Sequence, residues 1–250
     1  MPEIHTVLCR AGQMDNYSYI LHDKKSGITA VIDPSENAPI IRKLQELGLK
    51  LDYILNTHHH FDHTDGNLEL KEMFGAKVVG NQKDARRIPG FELGVEDGQT
   101  YALDKMGLDL ADKKKDSDFI FEVIDVSAHT QGHVLYYFPQ DKAVFTGDTL
   151  FNLCIGGLFE GTIEQMFSAL SKIKALPEDV KFYPGHEYTF GGAHEAYNYF
   201  GGNGDIQNYL NQAQMRLKQG LPAGPFTLGE EKRCNPYLAA DSLEKFRKLF

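Results

Sequence analysis

The sequence contains little cysteine. Its three cysteines, Cys9, Cys154 and Cys234, lie far apart in a chain of 250 residues. An odd number of cysteines without a Cys-x-x-Cys pair provides no disulfide framework of the kind that small secreted domains use. We therefore expect a protein of a reducing compartment, and specifically of the cytoplasm.

Long apolar runs are also missing. No segment approaches the roughly 20 consecutive apolar residues that a membrane-spanning helix needs. The N-terminal residues 1–5 lack the basic region and following apolar region of a secretory signal. We expect a soluble protein that has no membrane partner.

Positive charge is scarce. The chain has 26 Lys and Arg against 35 Asp and Glu, which gives a net charge of −9. Binding to a phosphate backbone needs a basic surface, so this balance argues against a nucleic-acid partner. The one basic run, Lys113–Lys115, lies among four aspartates in a segment, 104–117, that we interpret as a charged loop. We expect a monomer that acts on a small molecule.

The pattern of apolar residues predicts an α/β domain followed by helices. Three β-rich runs separated by turn residues predict an antiparallel meander at 4–8, 17–21 and 28–32. Strands and helices then alternate. The predicted helices cover 38–47, a segment from about 67 to 74, and 163–173, and the predicted strands cover 53–56, 77–79, 119–126, 134–138, 143–146 and 181–183. Beyond Tyr188 the pattern is helical, so we predict a catalytic domain over 1–189 and a small helical domain over 190–250.

A cluster of histidines follows the strand predicted at 53–56. His58 and His60 alternate with His59, so in an extended chain they point the same way while His59 points the opposite way. After Phe61 the chain must turn, and Asp62 and His63 can then face a second ion. Imidazole and carboxylate are ligands that Zn²⁺ accepts. We predict metal binding here, with His59 either contacting a ligand or buried for structural reasons.

Three more potential ligands follow later strands: His129, Asp148 and His186. Strand ends are rigid places from which to present side chains. The combined set predicts two divalent transition-metal ions, with Zn favoured and Fe or Mn also compatible. His58, His60 and His129 would hold one ion, Asp62, His63 and His186 the other, and Asp148 would bridge them. His133 either orients a ligand or is a buried structural histidine.

Five segments carry a family resemblance that covers nearly the whole chain: 57–63, 147–151, 159–162, 185–189 and 235–237. In these segments the chain resembles glyoxalase II, the hydroxyacylglutathione hydrolase branch of the metallo-β-lactamase superfamily. The resemblance implies an αββα sandwich, of the α/β (α+β) class, with a small C-terminal helical domain.

The resemblance also implies an activity, the hydrolysis of S-D-lactoylglutathione to D-lactate and glutathione in methylglyoxal detoxification. A hydroxide shared by the two ions would attack the thioester carbonyl, and Asp62 and Asp148 would hold those ions as catalytic residues. An ion would stabilise the charge that develops on the carbonyl oxygen. No protein nucleophile is needed, and we interpret Cys154 as structural.

The segments that would bind the thiol half of the substrate depart from the family. Tyr188 matches a tyrosine that contacts substrate, but Gly157 stands where the family often has lysine, and Phe159 stands where it has tyrosine. Lys245, Arg247 or Lys248 could instead supply the missing charge from the C-terminus. We include Gly157, Phe159, Tyr188, Lys245 and Lys248 in the predicted substrate site and expect weaker recognition of glutathione.

Three other functions fit parts of the same pattern. A persulfide dioxygenase-type oxidoreductase uses one iron on this fold, and nucleases and non-enzymatic binding modules are further alternatives. The helical tail with Asn235-Pro236 and the segment Glu160-Gly161-Thr162 favour the hydrolase. The acidic composition argues against a nuclease, and the intact set of ligands argues against a binding module.

Overall fold

The computed structural model describes residues 2–104, 107–110 and 119–250. These residues divide into two units. The first unit comprises the chain up to Asp125 together with Gly132–Asp141, and the second comprises Val126–Gln131 and Lys142–Phe250.

The first unit contains a six-stranded sheet whose strand order follows the chain. Its strands are β1 (Glu3–Cys9), β2 (Asn16–Asp23), β3 (Ile28–Ile32), β4 (Tyr53–Leu55), β5 (Lys77–Asn81) and β6 (Phe91–Val95). The first three strands pair antiparallel, which confirms the predicted meander. From β3 to β6 the pairs are parallel, as expected where helices connect the strands.

Two helices pack their apolar faces into the core of this unit. Helix α1 (Asn37–Leu47) buries Ile40 and Leu44, one helical turn apart, and ends at Gly48, whose φ of 67° a residue without a side chain adopts readily. The short helix α2 (Phe61–Thr64) precedes helix α3 (Asn67–Phe74), which buries Leu70. Strands β1, β2, β3, β4 and β5 contribute Val7, Ile20, Val31, Ile54 and Val78 to the same cluster.

Four further strands of the first unit are antiparallel and lie in the order β10-β9-β7-β8. They are β7 (Thr100–Leu103), β8 (Leu108–Leu110), β9 (Phe119–Asp125) and β10 (Val134–Phe138). The predicted loop at 104–117 is therefore wrong at 108–110, where Leu108 and Leu110 pair with Leu103 and Tyr101. The alternation Leu-Asp-Leu fits an edge strand, although the neighbouring charges suggested a loop. The part of the predicted charged loop that contains Lys113–Lys115 lies outside the described residues.

The first strand of the second unit is β11 (Ala143–Gly147), which pairs parallel with β12 (Lys181–Pro184). Between these strands lies α4 (Ile163–Lys174), which begins with a capping box formed by Thr162 and Gln165. The remaining helices are α5 (Thr189–Phe200), α6 (Gly204–Lys218), α7 (Leu228–Cys234), α8 (Pro236–Ala239) and α9 (Leu243–Arg247). They confirm the predicted helical tail, to which the structure adds the two-residue strand β13 (Phe226–Thr227) beside β12.

Within the described ranges, no helix is both long and apolar enough to cross a membrane. The domain boundary predicted between residues 189 and 190 stays a prediction.

Candidate metal centre

The loop that follows β4 brings the predicted histidines of the first unit together. His58 and His63 are buried, and their ring centroids lie 4.2 Å apart. The Nε2 atom of His58 lies 3.1 Å from Nδ1 of His60. His58 and His60 thus converge, and the turn of α2 places the buried Asp62 beside His63, whose Nε2 lies 3.5 Å from the Asp62 carboxylate.

Asp33, which directly follows β3 and is not among the predicted site residues, orients this loop. Its carboxylate accepts hydrogen bonds from the backbone N–H and the hydroxyl of Thr57, at 2.7 and 2.6 Å. The same carboxylate lies 3.1 Å from Nδ1 of His63. Asp33, His58 and His63 also offer ligand atoms within 4.8 Å of one another. A carboxylate behind an imidazole fixes the tautomer and the direction of the ring, as in many metal sites.

Two asparagines hold the backbone of α2. Asn16 donates from Nδ2 to the carbonyl and the carboxylate of Asp62, at 3.0 and 2.9 Å. Asn56 donates to the carbonyl of His63 at 2.9 Å. A helix of four residues has little stability of its own, so these contacts determine where Asp62 and His63 lie.

His59 and His133 both lie against other parts of this cluster. Nδ1 of His59 is 3.3 Å from the buried carboxylate of Asp84, which also accepts a hydrogen bond from Arg87. Burial opposes ionisation of Asp84, but hydrogen bonds from His59 and Arg87 outweigh it and lower the pKa of that carboxyl. His133 is buried and stacks on His58 at 4.7 Å. Both positions are compatible with the supporting roles predicted for them.

The second unit brings together the other three predicted ligands, all buried. The carboxylate of Asp148 lies 3.3 Å from Nε2 of His186 and 3.6 Å from Nε2 of His129. Asp148 follows β11 and His186 follows β12, the parallel neighbour of β11. Parallel strands end at the same edge of a sheet, which explains why residues 38 positions apart in the sequence meet.

A backbone carbonyl fixes the orientation of His129. Nδ1 of His129 lies 2.7 Å from the carbonyl oxygen of Gly157. A carbonyl only accepts, so Nδ1 carries the proton and Nε2 keeps its lone pair toward Asp148. The backbone N–H groups of Phe159 and Glu160 donate to the carbonyl of His129 in return.

Of the predicted substrate residues, two carry aromatic rings that contact candidate ligands. Tyr188 is partly exposed and stacks on His186 with 4.7 Å between centroids. Phe159 is 72% exposed and stands edge-on to His129 at 5.1 Å. Gly157 contributes its carbonyl to His129, and a Cβ at Gly157 would meet the ring of Phe159 at an ordinary 3.4 Å.

The C-terminal lysines have a different environment. Lys245 and Lys248 lie in the last helix and beside it, and form ion pairs with Asp241 and Glu244, four residues earlier in each case. Their described contacts are therefore with acids of their own segment. Cys154 also matches the structural interpretation, because burial raises the pKa of its thiol to about 12 and so disfavours the thiolate.

The chemistry of these residues fits divalent metal ions. Each unit brings imidazole nitrogens and a carboxylate close together. In each unit a hydrogen-bond acceptor also fixes the orientation of one imidazole ring, Asp33 for His63 and the Gly157 carbonyl for His129. A bound cation would offset the cost of burying several polar donors of this kind together. Nitrogen and oxygen donors of this type suit first-row transition metals.

Comparisons with known proteins give the family. A sequence model of the metallo-beta-lactamase superfamily matches residues 11–186, and a model of the hydroxyacylglutathione hydrolase C-terminus matches residues 187–248. The chain is 40% identical to the hydroxyacylglutathione hydrolase of Pelagibacter ubique, over 99% of this chain and 97% of that protein. It is 41% identical to the hydroxyacylglutathione hydrolase of Rhizobium meliloti, over 95% of this chain and 87% of that protein.

Solved structures agree on the fold. The BLEG-1 B3 metallo-beta-lactamase superposes with a TM-score of 0.68 at 21% identity, over 95% of this chain and 100% of the other. ETHE1 from Myxococcus xanthus superposes with a TM-score of 0.70 at 24% identity, over 98% of this chain and 88% of the other. These likenesses confirm the metallo-β-lactamase fold expected from the sequence, with helices at the C-terminus. The chain belongs to the hydroxyacylglutathione hydrolase family of the metallo-β-lactamase superfamily.

Proposed function

We propose that this protein is a metal-dependent thioester hydrolase that converts S-D-lactoylglutathione and water to D-lactate and glutathione. The observation that carries the proposal is the pair of buried His and Asp clusters, in a chain that resembles hydroxyacylglutathione hydrolases from end to end. The cytoplasmic location, the monomeric state and the lack of nucleic-acid and membrane partners stay predictions from composition.

The proposed ligands divide between two ions. From the sequence pattern we propose His58, His60 and His129 as the ligands of one ion, and Asp62, His63 and His186 as the ligands of the other. Asp148 has two carboxylate oxygens and is proposed to serve both. We propose zinc for both positions, because catalytic zinc sites are built from imidazole and carboxylate donors.

The ions would supply Lewis acidity, which lowers the pKa of water and polarises a carbonyl oxygen. The protein holds the donors in place: Asp33 fixes the ring of His63, and the carbonyl of Gly157 fixes the ring of His129. Tyr188 and Phe159, the aromatic side chains that contact His186 and His129, would bind the substrate beside the reacting carbonyl. We propose that residues 190–250 form a helical domain that contributes to binding the thiol half.

The test is a hydrolysis assay with several acyl-thiols on protein of known metal content. Release of free thiol from S-D-lactoylglutathione, abolished by a chelator and restored by Zn²⁺, is the expected result. Oxygen consumption with a persulfide, without thioester hydrolysis, would instead identify the dioxygenase-type activity. Metal-loaded protein that hydrolyses none of the thioesters would contradict the proposal.

A further inference from the structure

Glu231 is a fully buried carboxylate that has no part in the function proposed so far. It lies in α7, and its two oxygens accept three hydrogen bonds. Oε1 accepts from the backbone N–H of Leu153 at 2.5 Å and from Nδ2 of Asn235 at 2.9 Å, and Oε2 accepts from the hydroxyl of Tyr209 at 2.7 Å. Burying a carboxylate is costly unless its partners are well placed. One of these partners, the backbone of Leu153, lies in the segment between the proposed ligand Asp148 and Gly157.

Leu153 lies at the tip of the segment Asp148–Gly157, which we call the ligand loop. The loop folds back on itself through a bridge between Leu150 and Ile155 and a hydrogen bond from the N–H of Phe151 to the carbonyl of Cys154. Leu153 has a φ of 65°, which is unfavourable for a residue with a branched side chain. The tip therefore needs outside contacts to keep this shape.

Two residues of the C-terminal helices provide those contacts. Glu231 binds the N–H of Leu153, and Asn235, which also binds Glu231, donates to the carbonyl of Cys154 at 3.1 Å. Asn235 is fully buried and serves as the N-cap of α8. Glu231 and Asn235, which are hydrogen-bonded to each other, thus hold the backbone of two consecutive residues at the tip of the ligand loop.

One end of the ligand loop is a proposed metal ligand, and the other end contacts one. Asp148 begins the loop, and the carbonyl of Gly157 at its end accepts from Nδ1 of His129. Gly156 packs so closely on the carbonyl of Asp148 that an added Cβ would lie 1.8 Å from that oxygen. Because the loop is tight, a shift at its tip changes the position of both ends.

We propose that Glu231 is a positioning residue for the metal centre: through the tip of the ligand loop it sets where Asp148 and the Gly157 carbonyl lie. This inference rests on the metal centre proposed above. It assigns the C-terminal helices a role in metal binding in addition to the binding of substrate, although they supply no proposed ligand.

The test measures Co²⁺ binding directly. Apo-protein is titrated with Co²⁺ against a competing chelator, and the visible absorption of the bound ion is recorded as a report on ligand geometry. Glu231→Ala should weaken Co²⁺ binding about 10- to 100-fold, the usual cost of removing a residue that orients metal ligands, and should change the absorption spectrum. Glu231→Gln should bind as the wild type does, because its amide oxygen still accepts from Leu153 and its NH₂ can donate to Tyr209.

Tyr209→Phe is the matched control. It removes the hydrogen bond to Oε2 and leaves the contact with Leu153, so it should lower stability without changing the affinity or the spectrum. If Glu231→Ala does not fold, Asn235→Ser replaces it. Serine keeps the N-cap acceptor but does not reach Cys154, so Co²⁺ binding should weaken in the same direction.

Wild-type Co²⁺ affinity and spectrum in folded Glu231→Ala, or in Asn235→Ser, would overturn the inference. Equal loss in Tyr209→Phe would also overturn it, because the effect would then follow stability rather than loop position. Wild-type protein that binds no Co²⁺ would overturn the proposed metal centre as well, so the two failures are distinguishable.

Discussion

The two units present their candidate ligands in different ways. In the first unit all four, from His58 to His63, lie in six consecutive positions, and the surrounding contacts come from strand ends nearby. In the second unit the three ligands lie in three separate loops. The rings there are held by the carbonyl of Gly157 and, through the ligand loop, by residues of α7 and α8.

The difference shows two ways to preorganise a metal site. In the first unit the donors are adjacent in the chain, and a few residues at strand ends orient them: one carboxylate, Asp33, contacts both Thr57 and His63. A set assembled from distant segments depends on packing between elements far apart in the chain. The first unit should therefore respond to substitutions next to the ligands, and the second unit also to substitutions far from them.

The largest effect is expected at Asp148, whose carboxylate lies next to both candidate histidines of the second unit. Asp148→Ala removes the carboxylate that faces His129 and His186. We expect metal content and turnover to fall by about a hundredfold or more, because a ligand shared by two ions serves both. Elemental analysis and thioester kinetics measure the change.

Asp179→Ala serves as the control for that experiment, because Asp179 is an exposed partner of Lys142 in the same unit. It should leave metal content and turnover unchanged. Two full equivalents of metal in the Asp148→Ala protein would rule out the bridging role.

The second prediction concerns the stability of the second unit. Burial raises the pKa of Glu231 from 4.5 to about 7, although its three hydrogen-bond donors lower it. Glu231 therefore binds its proton more tightly in the folded protein than in the unfolded chain. Its contribution to stability is fully present below pH 4.5 and is lost as the pH rises through about 7.

Glu231→Gln removes this dependence. The pKa difference corresponds to about 3 kcal/mol, so between pH 4.5 and pH 8 the variant should gain up to that amount of stability relative to the wild type. Denaturant unfolding of both apo-proteins at the two pH values measures the free energy of unfolding. A difference between variant and wild type that stays constant with pH would contradict the prediction.

The same contrast explains what could be predicted from the sequence. The cluster His58–His63 is recognisable in the sequence because its candidate ligands are adjacent. The strand ends that carry Asp148 and His186 are recognisable because a glycine precedes each residue. Asp33 could not be recognised, because its contact with Thr57 exists only once β3 and β4 pair in parallel. Glu231 lies 78 residues from Leu153, and no local pattern links the two.

The third prediction tests the local orientation in the first unit. Asp33→Asn should direct an NH₂ group or a weaker acceptor toward Nδ1 of His63, and so disturb the tautomer that leaves Nε2 available. We expect metal affinity to fall about 10- to 100-fold. Asp23→Asn is the control, because Asp23 is also a buried aspartate of the first unit but binds Ser26. It should lower stability and leave metal affinity unchanged, and an equal loss of affinity in both variants would exclude an orienting role for Asp33.

The smallest effect is expected at Gly157, the position in the second unit where we predict a departure from the family. An added Cβ fits there at 3.4 Å from the ring of Phe159, and the backbone carbonyl that binds His129 is retained. Gly157→Lys should add one charge-assisted hydrogen bond to a carboxylate of glutathione, worth about 1.5 kcal/mol, the low end of the usual range, because position 157 is exposed. Such a contact is present in the ground state and the transition state alike, so KM for S-D-lactoylglutathione should fall about tenfold with little change in kcat.

Gly204→Lys is the control. It adds the same charge at the start of α6, where a Cβ meets nothing within 4 Å, and should leave KM unchanged. An unaltered KM in Gly157→Lys would show that the thiol half is bound by other residues and that the glycine at this position does not weaken recognition.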